Sequence, residues 1–186
     1  MCAAESLLAQ QTFEQIEQEL GAGIVPRIFK LLEPQPLLLA HLWGQFRAII
    51  LQGNLPRVLK EMLGLVVATA THCEYVRAVY LHSLTLQGVD KKALEAVYRG
   101  DHGAAEISNV ARKALRFAAL AAATRAAYNS PDGGQLTWQE LRQQTAQALE
   151  DTGLETEEKL ELVAVVALFE QICTVANLLD LDPNQP

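Results

Sequence analysis

Residues 61–88 read EMLGLVVATATHCEYVRAVYLHSLTLQG, and the spacing within this stretch predicts two packed helices that meet near Thr71. The first carries a carboxylate, Glu61, at the head of an apolar run. The second carries a thiol, Cys73, in its opening turn. Thr71 followed three residues later by Glu74 is the pattern of a capping box, which sets the helix start at Thr71. Unpaired backbone N–H groups at the positive end of the helix then favour a thiolate at Cys73, while neighbouring Glu74 opposes it. On one unbroken helix the steps of about 100° from Glu61 to Cys73 would leave their side chains roughly 120° apart. A break near Thr71 removes that restriction and lets Glu61 swing over the start of the second helix. From Cys73 the same face continues to Val76 and Tyr80, whereas His82 points to the opposite side.

These residues resemble the core of the alkyl hydroperoxidase D and carboxymuconolactone decarboxylase (AhpD-like) family. That family's pattern is a Glu, then Cys-x-x-Cys-x-x-x-His, then a Gly that closes the helix. Glu61 and Cys73 stand at the family's spacing, and the sequence Cys73-Glu74-Tyr75 is similar to its motif opening. Gln87–Val97, QGVDKKALEAV, resembles the closing Gly and the short helix after it. The flanks LGAGIVPRIFKLLEPQPLLLAHLWGQFR and EEKLELVAVVALFEQICTVANLLDL resemble the peroxidase-related branch, so the resemblance extends over most of the chain. It implies an all-α, single-domain AhpD-like helical bundle over residues 1–186, with 1–4 and 181–186 as disordered ends. It also implies a homo-oligomer.

Within the family's motif, Val76 stands in place of the second Cys, which attacks the peroxide, and Tyr80 in place of the His that relays protons. A valine can neither attack nor form a disulfide, and a phenol with pKa about 10 is a poor base at neutral pH. The family's two-thiol cycle is absent as written. What remains is Glu61, Cys73 and the hydroxyl of Tyr80, with His72 flanking the thiol. The resemblance thus implies a degenerate thiol site working as a weak single-cysteine hydroperoxide reductase in antioxidant defence. In that scheme Cys73 attacks the peroxide, Glu61 assists proton transfer through water, Tyr80 orients the peroxide and an external thiol reductant resolves the oxidised sulfur. The alternative is a non-catalytic descendant that binds a small molecule or partner in an apolar pocket over Cys73. Decarboxylase-like or dehalogenase-like chemistry is a third, weaker option.

Composition narrows the classes further. The 186 residues suit one domain, and half of them are apolar at helical rather than alternating spacing. A net charge of −7 without a Lys/Arg stripe argues against nucleic acid. Cys2, Cys73 and Cys173 are too few and too scattered for a disulfide framework, which points to a reducing, cytoplasmic setting. The N-terminus lacks the pattern of a signal peptide, and the longest apolar run, Leu162 to Phe169, is far short of a membrane span. No His pair has a metal-ligand spacing with a third ligand nearby, so neither metal nor cofactor is expected. His41, His82 and His102 read as exposed or structural. Cys173 reads as core, and its distance from Cys73 is not legible in the sequence.

The remaining chain reads as a succession of helices. An amphipathic helix runs from about Glu5 to Leu20, with Phe13, Ile16 and Leu20 on one face; a short one starts at Pro26; a third ends near Gln52, with Trp43, Phe46 and Ile50 inward. Pro56 opens the helix of Glu61, and Asp90 caps the short helix after Gly88. A long helix is predicted from about Ala104 to Tyr128, then a loop at Ser130–Gly134. Thr137 and Glu140 form another capping box, and a final helix, deeply buried in its middle, runs from about Thr156 to Leu179.

Overall fold

A computed structural model describes residues 3–101, 107–128 and 137–184, and every regular element among them is helical. The helices are α1 (Ala3–Leu20), α2 (Arg27–Lys30), α3 (Pro36–Phe46, continued by a π-helical turn over Arg47–Leu51), α4 (Arg57–Ala70), α5 (Glu74–Leu86), α6 (Lys91–Tyr98), α7 (Asn109–Tyr128), α8 (Trp138–Glu150) and α9 (Thr156–Leu178).

The centre of the bundle is α4. Its residues Leu59 to Ala68 are buried without interruption, as expected of a helix apolar on nearly all sides. It is surrounded by α5, α7 and α9. A side chain at Gly64 would collide with the ring of Phe169, so the absent Cβ lets α9 lie close against the α4 backbone. By length and composition α9 could cross a membrane. Leu162, Val165, Phe169, Ile172 and Ala176 are instead buried within this protein.

Two polar devices accompany the apolar packing. Lys60 is buried, its ammonium paired with Glu161 of α9 and donating to the carbonyl of Gln52. The same carboxylate accepts the backbone N–H of Asn54 at 2.8 Å and of Leu55 at 3.2 Å, tying the turn before α4 to α9. Burial pushes the Glu161 carboxyl up, and the Lys60 hydrogen bond and two amides outweigh it, leaving a net shift below the ordinary range. At the other side, Phe29 meets Trp43 edge-on at 5.6 Å and fastens α2 onto α3.

Several elements start and stop where expected. Asp90 accepts from the N–H groups of Lys92 and Ala93, Thr137 and Glu140 form their reciprocal cap, and Gly88 closes α5 at φ 79°. Others differ. Ser108 accepts from the Ala111 N–H at 3.1 Å and α7 begins at Asn109 rather than near Ala104. The tail from residue 181 is ordered at its start, because Leu181 is buried and its N–H returns to the carbonyl of Ala176 at 3.0 Å. At the other end α1 includes Ala3 and Ala4, so residues expected to be disordered are helical. The predicted loop Ser130–Gly134, His102 and Cys2 lie outside the described residues.

Candidate functional site: a buried thiol pair

The junction of α4 and α5 is built differently from the predicted capping box. Thr71 is the last residue of the α4 turn, and its hydroxyl donates back to the Val67 carbonyl at 2.9 Å. His72 follows at φ 53°, Cys73 N–H reaches the Ala68 carbonyl at 2.8 Å, and His72 N–H the Thr69 carbonyl at 3.3 Å. This pair of bonds is a Schellman motif, with His72 at the position usually held by glycine. The N-cap of α5 is therefore Cys73 itself, and Glu74 pairs with Arg77 at 2.8 Å instead of reaching back to Thr71.

Reversal at this turn runs α5 antiparallel to α4, so residues equally distant from the turn become neighbours. Glu61 thus sits beside the far end of α5. It is 1 % exposed, and its carboxylate accepts from Arg57 Nε at 2.7 Å, Ser83 Oγ at 2.6 Å and Gln87 Nε2 at 2.6 Å. Ser83 lies ten residues beyond Cys73, about 15 Å along the helix axis. The acid does not swing over the start of α5; it closes the opposite end of the helix pair. Arg57 was a foreseeable partner on the same helix. Ser83 and Gln87 were missed, although they continue the Cys73, Val76, Tyr80 face by further steps of three and four.

Between these ends the face is filled. Val76 is buried, and the Tyr80 ring meets Phe169 of α9 edge-on at 4.9 Å. Burial, with Glu61 adding a smaller push, drives the Tyr80 phenol well above its ordinary range. Tyr80 therefore stays protonated and cannot act as a base. Val76 and Tyr80 are both buried on the face that carries Cys73. His72, by contrast, is exposed at the turn.

At the start of α5, Cys73 is fully buried at 0 % exposure. Cys173 of α9, 1 % exposed, lies beside it, and the interaction of the two thiols moves their ionisations in opposite directions. Both cysteines are free thiols. That interaction, helped by the backbone N–H groups of Val76 and Tyr75 and opposed by burial and Glu74, brings the Cys73 thiol down to about 7. The same interaction, together with burial, pushes Cys173 far up and keeps it protonated. Tyr75 is buried next to Cys73, and its hydroxyl accepts the Ile28 N–H at 3.3 Å, fixing this end of α5 to α2. Among the described residues, no group of His, Cys, Asp and Glu is arranged to hold a metal ion.

Fold and site together define an all-helical protein with a paired thiol at a helix start. Residues 37–127 match the carboxymuconolactone decarboxylase family. The chain is similar in structure to an AhpD-core, uncharacterized peroxidase-related protein from Ralstonia eutropha JMP134, at 19% identity and TM-score 0.66, over 91% of this chain and 81% of that one. A peroxidase-related protein from Silicibacter sp. TM1040 is similar at 20% identity and TM-score 0.68, over 90% and 80%. The debrominase Bmp8 is similar at 20% identity and TM-score 0.67, over 97% and 88%. No curated protein matches the sequence. Residues 37–127 carry the carboxymuconolactone decarboxylase family match, and the chain has the AhpD-like fold.

Proposed function

We propose that this protein is a thiol-dependent hydroperoxide reductase of low turnover, with Cys73 as the reacting group. The observation that carries the proposal is the place of Cys73 as N-cap of α5 with Cys173 of α9 beside it, a setting that favours the thiolate near neutral pH. The Cys73 sulfur attacks the distal oxygen of the hydroperoxide, the O–O bond breaks, and an alcohol leaves with a proton from solvent. Burial of Cys73 restricts the substrate to small hydroperoxides. Glu61 acts at a distance, holding α4 and α5 in register, and Tyr80 walls the site with its phenol protonated. An external thiol restores the reduced protein, which fits a reducing compartment. The proposal includes a homo-oligomer, for which exposed Ile24, Leu37 and Leu38 supply apolar surface. Peroxide consumption with a dithiol reductant, compared between wild type and Cys73→Ser, tests the activity; equal rates end the idea. A monomer by light scattering removes the oligomer.

A second reading, a non-catalytic binding protein, is favoured by a different observation. A cleft of about 510 Å³ opens between α7, α8 and α9, lined by Phe117, Trp138, Leu149 and Val166 with the Thr124 and Thr145 hydroxyls. Thermal-shift screening with apolar organic acids tests it. A ligand that raises Tm in wild type and loses its effect in Val166→Trp supports binding there; no shift from any acid counts against it.

A further inference from the structure

The family-type partner of Cys73 would stand one turn along α5, where this chain has Val76, but a second thiol reaches the same sulfur from another helix. We propose that Cys173 is the resolving thiol: after a hydroperoxide oxidises Cys73, Cys173 attacks its sulfur and the two form a disulfide joining the start of α5 to α9. This rests on the reading of Cys73 as the reacting residue.

The placement is held by successive contacts along α9. Phe169 lies edge-on to Tyr80, Cys173 one turn later meets Cys73, and Asn177 another turn on donates to the Thr71 carbonyl at 3.1 Å. The Thr71 hydroxyl also reaches Cys173. Residues 169, 173 and 177 share one face of α9 by their spacing of four. The thiol pair is therefore an in-register feature of the α5–α9 packing, not a chance approach of two core side chains.

The chemistry balances without any further group. Attack of the Cys73 thiolate on ROOH breaks the O–O bond and gives Cys73 sulfenic acid and an alkoxide, which takes a proton from solvent to leave as ROH. Cys173 then attacks the sulfenic sulfur, the S–O bond breaks, and the hydroxide leaves with the Cys173 proton as water. Two sulfurs are oxidised and one peroxide is reduced. An outside dithiol returns both thiols by exchange through a mixed disulfide. Interaction with Cys73 and burial keep the proton on Cys173. Conversion of Cys73 to the neutral sulfenic acid removes the part that the Cys73 thiolate supplies, while burial remains.

The test uses the full chain with Cys2→Ser, treated with equimolar hydrogen peroxide and quenched into denaturant containing dimedone and an alkylating agent. Non-reducing peptide mapping should find the Cys73 and Cys173 peptides linked, and Cys173→Ser should instead accumulate the dimedone adduct on Cys73. Dimedone on Cys73 of the parent with no linked peptide would overturn the resolving role while leaving Cys73 as the reacting residue. Neither product, with Cys73 unmodified, would overturn the functional reading and this inference with it. Diamide, which couples neighbouring thiols without a sulfenic acid, provides an arm that needs no mutation and no peroxide. No Cys73–Cys173 linkage under diamide overturns the pairing itself.

Discussion

Cys173 of α9 lies beside Cys73 at the start of α5, so two buried thiols from distant parts of the chain interact inside the bundle and their ionisations shift in opposite directions. Their titrations are linked to stability with opposite signs. The Cys73 value is lowered from 9.0 to about 7, so its contribution is present in full above the unfolded value and is lost as pH falls through 7. Cys173 is raised, so its contribution is present below its unfolded value and is lost as pH rises beyond it. Stability from the pair should therefore climb between pH 7 and 9 and decline above. The gain over that window is at most about 3 kcal/mol. Urea unfolding of wild type and Cys73→Ala across this range measures it; a constant difference between the two proteins would contradict the lowered Cys73 thiol.

Lys60, buried, and Glu161, partly buried, form a different kind of pair between α4 and α9. Glu161→Gln leaves the Lys60 ammonium without its counter-charge and should cost about 3–5 kcal/mol. Because the Glu161 carboxyl is held below its ordinary range, its contribution is present above the unfolded value of 4.5 and is lost as pH falls through the folded one. Denaturant midpoints at neutral and acidic pH check both points. A Glu161→Gln midpoint equal to wild type at neutral pH would refute the first.

Gly64 is where α9 touches the α4 backbone, and Gly64→Ala puts a methyl into the Phe169 ring. Overpacking of this kind should cost about 1–3 kcal/mol, against a smaller gain in helix propensity. Phe169→Leu should relieve the collision, so the double mutant should be more stable than the sum of the single effects predicts. A double-mutant cycle in thermal unfolding decides it; additive effects would mean that the ring and the glycine are independent.

His72 stands in the left-handed region at φ 53°. That conformation costs an L-residue about 1–2 kcal/mol, whereas glycine adopts it freely. His72→Gly should raise stability by up to about 1 kcal/mol after the added flexibility of the unfolded chain is counted. A lower Tm in the glycine variant would assign His72 a favourable contact that offsets the backbone conformation.

By itself, the order of apolar and capping residues determined the helical class, the approximate helix boundaries and the division of Glu61–Gly88 into two helices. These depend on local periodicity and turn chemistry, which neighbouring residues carry. The Asp90 cap, the Thr137–Glu140 box and the Gly88 stop are local in that sense, and all three occur as the sequence indicates. Thr71 shows the limit of such reasoning, since the same hydroxyl can cap the next helix or bond back to the last one. The observed Schellman turn selects the second.

Only the tertiary structure decided what surrounds each reactive group. The antiparallel return of α5 moved Glu61 to Ser83 and Gln87 and away from Cys73. The packing of α9 brought Cys173 to the sulfur that Val76 could not serve. Both outcomes depend on how helices distant in sequence are superposed, and a helix face lists which residues point inward without naming what they will meet.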